Sequence, residues 1–456
     1  MKFPVAACLT LAALAATPSA QAQTKAPTTK ADAAIRQMVQ DISAKNLEDD
    51  VRKLVSFGTR HTLSDTKDPK RGIGASRRWV EEEFKKYSKA SGGRLTVIQD
   101  TFTVRPDGRR INKPVLMANV MATLPGTDPT DTRVFIVSGH IDSRVTDVMN
   151  ATADAPGAND DGSGTAAVME LARVMSKQKF PCTLIFVAVQ GEEQGLYGST
   201  YLAQRAKKEG WNLTAMLNND IMGNSLGHDP QLKDDKHLRV FSEGVPANET
   251  PDEAKLRRTL SSENDSPSRQ LARYAQTAAR QYVEGLEVVL EYRPDRFLRG
   301  GDHTPFNQQG FTAVRFTEMN EDFTHQHQDL RTENGRAYGD TPEGMDFQYL
   351  RKNTGVNLAT LASLALAPAA PQNVGVLTAN LSNRTELKWE APKAGEKPAG
   401  YYVLMRETSA PQWQQKFFVT DPKADLPHSK DNYLFGVVSV DAEGHESLPM
   451  LPKPVR

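Results

Sequence analysis

Two apolar runs, Val134-Phe135-Ile136-Val137 and Leu184-Ile185-Phe186-Val187-Ala188-Val189, constrain this chain more than any other feature of its sequence. A strand with one wet face alternates apolar and polar residues, whereas a run without alternation suits a strand covered on both faces. Between the two runs, Thr165 to Lys177 carries Ala167, Val168, Leu171 and Val174 at helical spacing. Strand, helix and strand in that order predict an α/β fold, with a mostly parallel central sheet flanked by helices. Upstream, Asp41 to Glu82 reads as helical on Ile42, Leu47, Val51 and Leu54, with a turn-rich interruption around Ser64 to Gly72. Residues 226–266 are polar and irregular apart from Leu238-Arg239-Val240-Phe241, and read as an insertion near the working face.

The chain has 456 residues, which at about 150 residues per domain suggests about three segments. Fifty-six basic residues balance 56 acidic ones, so there is no cationic excess with which to bind nucleic acid by bulk charge. A hydrophobic share of 38% with 25% charged residues argues against global disorder. No apolar run reaches the roughly 18 residues of a membrane span, so a soluble mature protein is expected. Residues 1–22 read as a cleavable signal peptide: Lys2, an apolar stretch from Val5 to Ala16, then Ala20-Gln21-Ala22. That predicts a secreted or periplasmic protein. Val5-Ala6-Ala7-Cys8 loosely resembles a lipoprotein attachment site, but almost no apolar region precedes Cys8, and a cysteine inside a discarded leader is the better reading. Cleavage then leaves Cys182 alone, so no intramolecular disulfide is expected, and stability must come from core burial or bound metal. Residues 23 to about 33 read as a mobile leader to a catalytic segment spanning 23–368. Ala and Pro dominate Leu364 to Gln372, after which Leu387-Lys388-Trp389, Tyr401-Tyr402-Val403-Leu404 and Tyr433-Leu434-Phe435-Gly436-Val437 mark short strands between turns. Residues 369–456 are therefore expected to form a small all-β sandwich. It resembles a fibronectin type III module, which implies a spacer or adhesion role without chemistry of its own.

Five segments at the ends of expected strands supply acid and imidazole groups. Gly139-His140-Ile141-Asp142-Ser143 follows the first apolar run; His140 could bind metal through one ring nitrogen while Asp142 or a nearby acceptor orients the other. Gly157-Ala158-Asn159-Asp160-Asp161-Gly162-Ser163-Gly164 opens a helix, where one carboxylate serves as a cap but two exceed that need. Gln190-Gly191-Glu192-Glu193-Gln194-Gly195 leaves the second run, at the strand mouth where α/β folds place function. Asn218-Asn219-Asp220 ends a strand from Thr214, and Thr324-His325-Gln326-His327-Gln328-Asp329 follows Val314-Arg315-Phe316. Each segment alone is a weak signal; their ordered combination is specific.

In that combination, over Asn119 to Asp329, the chain resembles the zinc aminopeptidases of peptidase family M28. The resemblance implies that His140 and Asp220 hold one zinc ion, that Glu193 and His325 hold a second, and that Asp160 bridges both. It also implies that Glu192 is the general acid/base, with Asp142 beside it in the catalytic group. The chemistry agrees: a bridging ligand must offer two oxygens across about 3.5–4 Å, which a carboxylate does. Two histidines with three carboxylates suit zinc and are open to cobalt or manganese. His327 competes with His325 for the last ligand position; His325 is preferred because it stands four residues before Asp329, in the family's His-x-x-x-Asp spacing. The family's tyrosine before the last histidine is Thr324 on that choice, which puts its help to the oxyanion in doubt. Asp302-His303 stand where relatives carry Ser-Asp-His, as a pocket element. His61, His228, His237, His428 and His445 read as ordinary residues.

The activity expected from this resemblance is an exported dinuclear zinc aminopeptidase acting on peptide substrates. Ligand carboxylates and Glu192 would form a negative pole suited to a protonated α-amine. A carboxypeptidase or glutaminyl cyclase of the same fold is the enzymatic alternative, depending on pocket groups such as Arg296, Arg299 or Arg315 whose directions the sequence leaves open. A non-catalytic binding protein would have lost a ligand or the base, and none is lost here. Asp161-Gly162-Ser163-Gly164 is not a Gly-x-Ser-x-Gly elbow, which argues against serine hydrolase chemistry.

Overall fold

Side-chain caps divide the amino-terminal region of the computed structural model, which describes residues 26–27, 31–379 and 381–456. The signal peptide expected over residues 1–22 lies outside the described residues. The helical stretch expected from Asp41 is three helices that begin earlier: α1 (Ala33–Gln40), α2 (Ala44–Val55) and α3 (Gly72–Ala90). Asp32 Oδ1 accepts the amides of Ala34 and Ile35, and Ser43 Oγ accepts that of Asn46. Each cap satisfies donors that a helix start leaves open, and so starts a new helix where apolar spacing alone shows none.

Eight strands form the main sheet: β1 (Thr96–Val104), β2 (Val115–Leu124), β3 (Arg133–His140), β4 (Thr183–Val189), β5 (Asn212–Asn219), β6 (His237–Phe241), β7 (Glu287–Glu291) and β8 (Ala313–Glu318). Their spatial order is β1-β2-β4-β3-β5-β8-β6-β7. The four central strands, β4, β3, β5 and β8, run parallel, and antiparallel pairs occur only toward the edges. The later helices are α4 (Gly162–Met175), α5 (Tyr197–Lys208), α6 (Pro251–Leu260), α7 (Pro267–Tyr282), α8 (His303–Gln308) and α9 (Phe347–Leu366).

The unbroken apolar runs are two interleaved half-strands facing two cores. Phe135, Val137, Leu184, Phe186 and Ala188 join the large core built with α1–α4, α7 and α9. Ile136, Ile185, Val187 and Val189 face the opposite side, against Leu202 and Ala203 of α5 and Phe306 of α8. Burying each large side chain stabilises the fold by about 1.5–3 kcal/mol relative to exposure, so both faces must be apolar. No helix among the described residues is long and apolar enough to cross a membrane.

Residues 238–241 are not part of an insertion. They belong to β6, inside the main sheet, with Leu238 and Val240 in the large core while Arg239 Nε donates to the Glu318 carbonyl. A polar strand residue with its own acceptor breaks the apolar run without breaking the strand, which is why the segment resembled a short interruption.

After α9 come seven short strands: β9 (Gln372–Leu377), β10 (Thr385–Glu390), β11 (Gly400–Glu407), β12 (Gln415–Val419), β13 (Lys423–Leu426), β14 (Tyr433–Val440) and β15 (Lys453–Val455). They make two sheets, β13-β10-β9-β15 and β12-β11-β14, that share a core around Trp389, Tyr401, Val403 and Val437. β10 alternates between buried and exposed residues, but β11 is buried from Gly400 to Arg406. The difference arises because the outer face of β11 meets α7. Arg406 Nη2 lies 2.8 Å from Asp265, which also takes Arg273 Nη1 at 2.9 Å, and Trp413 Nε1 donates to Gln270.

Two consequences are measurable. Asp265→Ala leaves Arg273 and Arg406 buried without their shared counter-charge, so unfolding in urea should show a loss of about 3–5 kcal/mol. Limited proteolysis near residues 367–371 should accelerate, and unchanged stability would mean the contact is idle. The second concerns Asp50 on α2, whose Oδ2 is enclosed without a partner. Burial, then Glu170 and Glu83, pushes its carboxyl from 3.8 up to about 8. The folded chain thus keeps a proton that the unfolded chain releases, so this contribution is whole below 3.8 and is lost as pH rises through about 8. Asp50→Asn should gain stability over the parent progressively across that window, and a pH-independent difference would contradict the assignment.

Candidate metal centre

The carboxyl ends of the four parallel strands meet at one edge of the sheet, and each delivers a residue to one cleft. His140 ends β3, Glu192 and Glu193 follow β4, Asp220 follows β5, and His327 lies on the loop after β8. Asp160 enters from the segment before α4. Its Oδ1 lies 3.1 Å from His140 Nε2, and its Oδ2 lies 2.8 Å from His327 Nε2. His140 Nε2 is also 3.7 Å from Asp220 Oδ1, and His327 Nε2 is 3.1 Å from Glu193 Oε1. Two groups of candidate ligands result, His140 with Glu192 and Asp220, and Asp160 with Glu193 and His327. Within each group the candidate ligand atoms lie within 4.8 Å of one another.

His325 does not join this cluster. Its Nδ1 is 3.7 Å from Asp322 Oδ2, and its ring packs beside Gly344, whereas His327 reaches both Asp160 and Glu193. The geometry therefore corrects the choice of His325 to His327. The physical reason is the turn: the amides of His325 and Gln326 both donate to the Asp322 carbonyl, and His327 follows in the left-handed region at φ 58°. Such backbone costs about 1–3 kcal/mol and clusters at functional sites. Spacing to Asp329, which is exposed, carries no information in a loop that reverses direction. The residue before the histidine is consequently Gln326, whose Nε2 donates to Asp160 Oδ2 at 3.1 Å, while Thr324 donates to Asp322.

Asp142 needs a correction as well. Its carboxylate points away from the cleft and accepts the amides of Gly191, Glu192 and Glu193 at 3.0, 3.3 and 3.2 Å, together with the Thr62 hydroxyl. It positions the Glu192-Glu193 segment rather than touching reacting atoms. His140 Nδ1 is oriented by the Asp142 backbone carbonyl at 3.0 Å. Asp160 and Asp161 divide the two roles open to them: Asp160 faces the cleft, while Asp161 caps α4 through Gly164 and accepts the His140 amide at 2.8 Å. Close approach at the cap requires glycine, since a Cβ on Gly164 would lie 2.3 Å from the Asn219 carbonyl.

Sequence reasoning missed Arg60, Asp340 and Arg144 as positioning residues, and named Arg315 only as a pocket group of open direction. Fully buried Arg60 donates to the carbonyls of Ile141, Pro156 and Gly157, tying two of the ligand-bearing segments together. Asp340 accepts the amides of Asn159 and Asp160. Arg144 Nε lies 2.9 Å from Glu193 Oε2, and Arg315 Nη2 lies 3.0 Å from Asp220 Oδ1. Arg60 and Asp340 bond backbone far away in the chain, and local motifs carry no signal of that. Asp302 is buried with neither oxygen hydrogen-bonded among the described residues, and burial pushes its carboxyl up to about 7.

Electrostatics fit this donor set to a cation. Burial lowers the basicity of His327, but Glu193 and Asp160 outweigh it and push the imidazole up to about 10. The same pair acts on Asp160 in reverse: burial raises its carboxyl, and His327 with His140 more than offsets this and holds it well below its ordinary value. Buried Glu193 Oε1 accepts from no donor among the described residues besides its 3.1 Å contact with His327 Nε2. A cation among these groups would replace the proton on His327 and take the open lone pair of Glu193. Glu192 forms no ion pair among the described residues, and burial, with Asp220 and Glu193 adding and His140 opposing, raises its carboxyl well above the ordinary range.

Peptidase family M28 matches residues 119–339. A probable zinc metalloprotease of Leptosphaeria maculans is 48% identical over 92% of this chain and 97% of its own. The LapA aminopeptidase structure of Legionella pneumophila covers 75% of this chain and 78% of its own, at TM-score 0.52 and 18% identity. An aminopeptidase from Aneurinibacillus covers 73% and 96% respectively, at TM-score 0.50 and 17% identity. The central sheet and its helices thus share the fold of these two aminopeptidase structures. The chain belongs to peptidase family M28.

His327→Ala should deplete zinc, measured by plasma emission on dialysed protein, whereas His325→Ala should retain it. The reverse outcome would restore His325 as a ligand.

Proposed function

We propose that the protein is an exported dinuclear zinc aminopeptidase that hydrolyses the N-terminal peptide bond of peptides. The observation that carries this reading is Asp160, whose two carboxylate oxygens each face a different histidine. His140 and Asp220 would hold one ion, Glu193 and His327 the other, and Asp160 both. Zinc bound there supplies Lewis acidity, polarising the scissile carbonyl and bringing the acidity of water toward neutral pH. Glu192, with no ion pair to occupy it, takes the proton of the attacking water and passes it to the departing amine. Its environment favours the protonated form, which suits the second half of that exchange. Asp142, Arg144 and Arg315 keep Glu192 and the ligands in register.

Support for aminopeptidase action comes from two solved structures of like fold that are named aminopeptidases. Export rests on the leader at residues 1–22. The division into a catalytic segment over 23–368 and a fibronectin type III-like module over 369–456 rests on the composition shift and on the sandwich arrangement of the last seven strands.

Glu192→Gln should lower kcat by about 10²–10⁴-fold while leaving zinc content intact; loss of zinc would make Glu192 a ligand instead. Peptides with free amino termini should release their first residue, and their N-acetylated twins should not. Equal release from both sets would overturn the aminopeptidase reading.

A further inference from the structure

Beside the ligands lies a cavity of about 260 Å³ whose lining includes Arg110, Arg144, Arg296 and Arg299. Its ligand-bearing floor includes Asp160, Glu192, Glu193 and Asp220, all committed on the proposed reading to metal or to proton transfer. Apart from His327, the charged groups left in the lining are the four arginines, among neutral residues such as Leu196 and Gln326. Glu321 is a single carboxylate shared by three guanidinium groups: Arg239 Nη2 at 3.0 Å, Arg296 Nη1 at 3.1 Å and Arg299 Nη1 at 3.2 Å. Asp295 serves Arg296 at 3.1 Å and Arg315 at 3.3 Å. Four arginines thus share two carboxylates once Asp220 is assigned to metal. Arg110, in the same lining, donates to the Glu193 backbone carbonyl and has no acidic partner among the described residues. Arg299 is about a third exposed (34%), its remaining contact being the Gln326 amide oxygen at 3.3 Å.

Guanidinium groups in excess of carboxylates at a pocket wall create a positive potential and offer paired donors for a planar anion. The volume is at the small end of ligand pockets, which run to about 300–1,000 Å³, so the anion must sit close to the reacting bond. We infer that Arg299 and Arg110 recognise a carboxylate of the substrate one or two residues beyond the scissile bond. Two sources carry that chemistry, the C-terminal α-carboxylate of a short peptide and the side chain of an acidic residue. The inference rests on the proposed peptidase reading and narrows it to short or acidic peptides.

The test uses the zinc-loaded chain with four peptides: Leu-Ala-Ala, its C-terminal amide, Leu-Glu-amide and Leu-Gln-amide. A free α-carboxylate or a glutamate side chain should raise kcat/KM by about tenfold over its neutral twin, as a charged hydrogen bond worth about 1.4 kcal/mol requires. The advantage should shrink with salt. Preference for the tripeptide acid alone assigns the α-carboxylate, and preference for Leu-Glu-amide alone assigns the side chain. Arg299→Gln should narrow the ratio mainly through KM, with zinc content equal to the parent's; Arg110→Gln repeats the test where Arg299→Gln fails to fold. Calorimetry of the same peptides with zinc-loaded Glu192→Gln reads the preference without turnover. If acids and amides bind and react alike, the inference is overturned. If none of the four peptides is cleaved yet calorimetry still separates acids from amides, the peptidase reading fails and the arginine site stands.

Discussion

Like-charge crowding is the constraint on which the structure depends. Asp160, Glu192, Glu193 and Asp220, buried or half-buried, converge in one cleft, where their repulsion and the cost of burying each charge favour driving them apart. Opposing that, His140 and His327 sit between the carboxylates, and Arg144 and Arg315 hold Glu193 and Asp220 from behind. Outweighing burial, the surrounding carboxylates push both imidazoles up, at the positions that the proposed reading gives to cations. A site crowded with negative charge, as the proposed binding of divalent ions requires, therefore needs a rigid, positively charged surround.

The parallel sheet supplies the rigidity. Four adjacent strands end at one edge, so residues far apart in the chain are placed side by side by the hydrogen-bond ladder. Connections between those ends would otherwise be loose. Arg60 ties the segment after β3 to the one before Asp160, Asp142 gathers the three amides after β4, and Asp340 holds the Asp160 backbone. Each bond satisfies a buried donor or acceptor, so positioning the site and meeting the hydrogen-bond requirement of its loops are one task.

Helix α7 links the cleft's half of the sheet to the carboxyl-terminal sandwich. Gln276 donates to the Val288 carbonyl of β7, and Arg273 with Asp265 engages Arg406 and the Pro411 carbonyl across the junction. The sandwich is thus docked through buried charge and through the covered face of β11. That is a firmer attachment than a flexible spacer, and it braces the same half of the sheet from which the arginine-rich wall is built.

The sequence by itself determined the covered parallel strands, because only a strand buried on both faces needs apolar residues at every position. It also determined the order of the acid and imidazole segments, because strand ends in such a sheet are where polar residues must appear. Tertiary structure alone decided that His327 rather than His325 reaches Asp160, since a left-handed turn residue sets the direction and spacing does not. It alone revealed Asp142 as a backbone clamp, Arg60 and Asp340 as latches, and Leu238 to Phe241 as a sheet strand. Those roles rest on bonds between residues distant in sequence, and long-range pairing in a folded chain leaves no periodicity or motif to read.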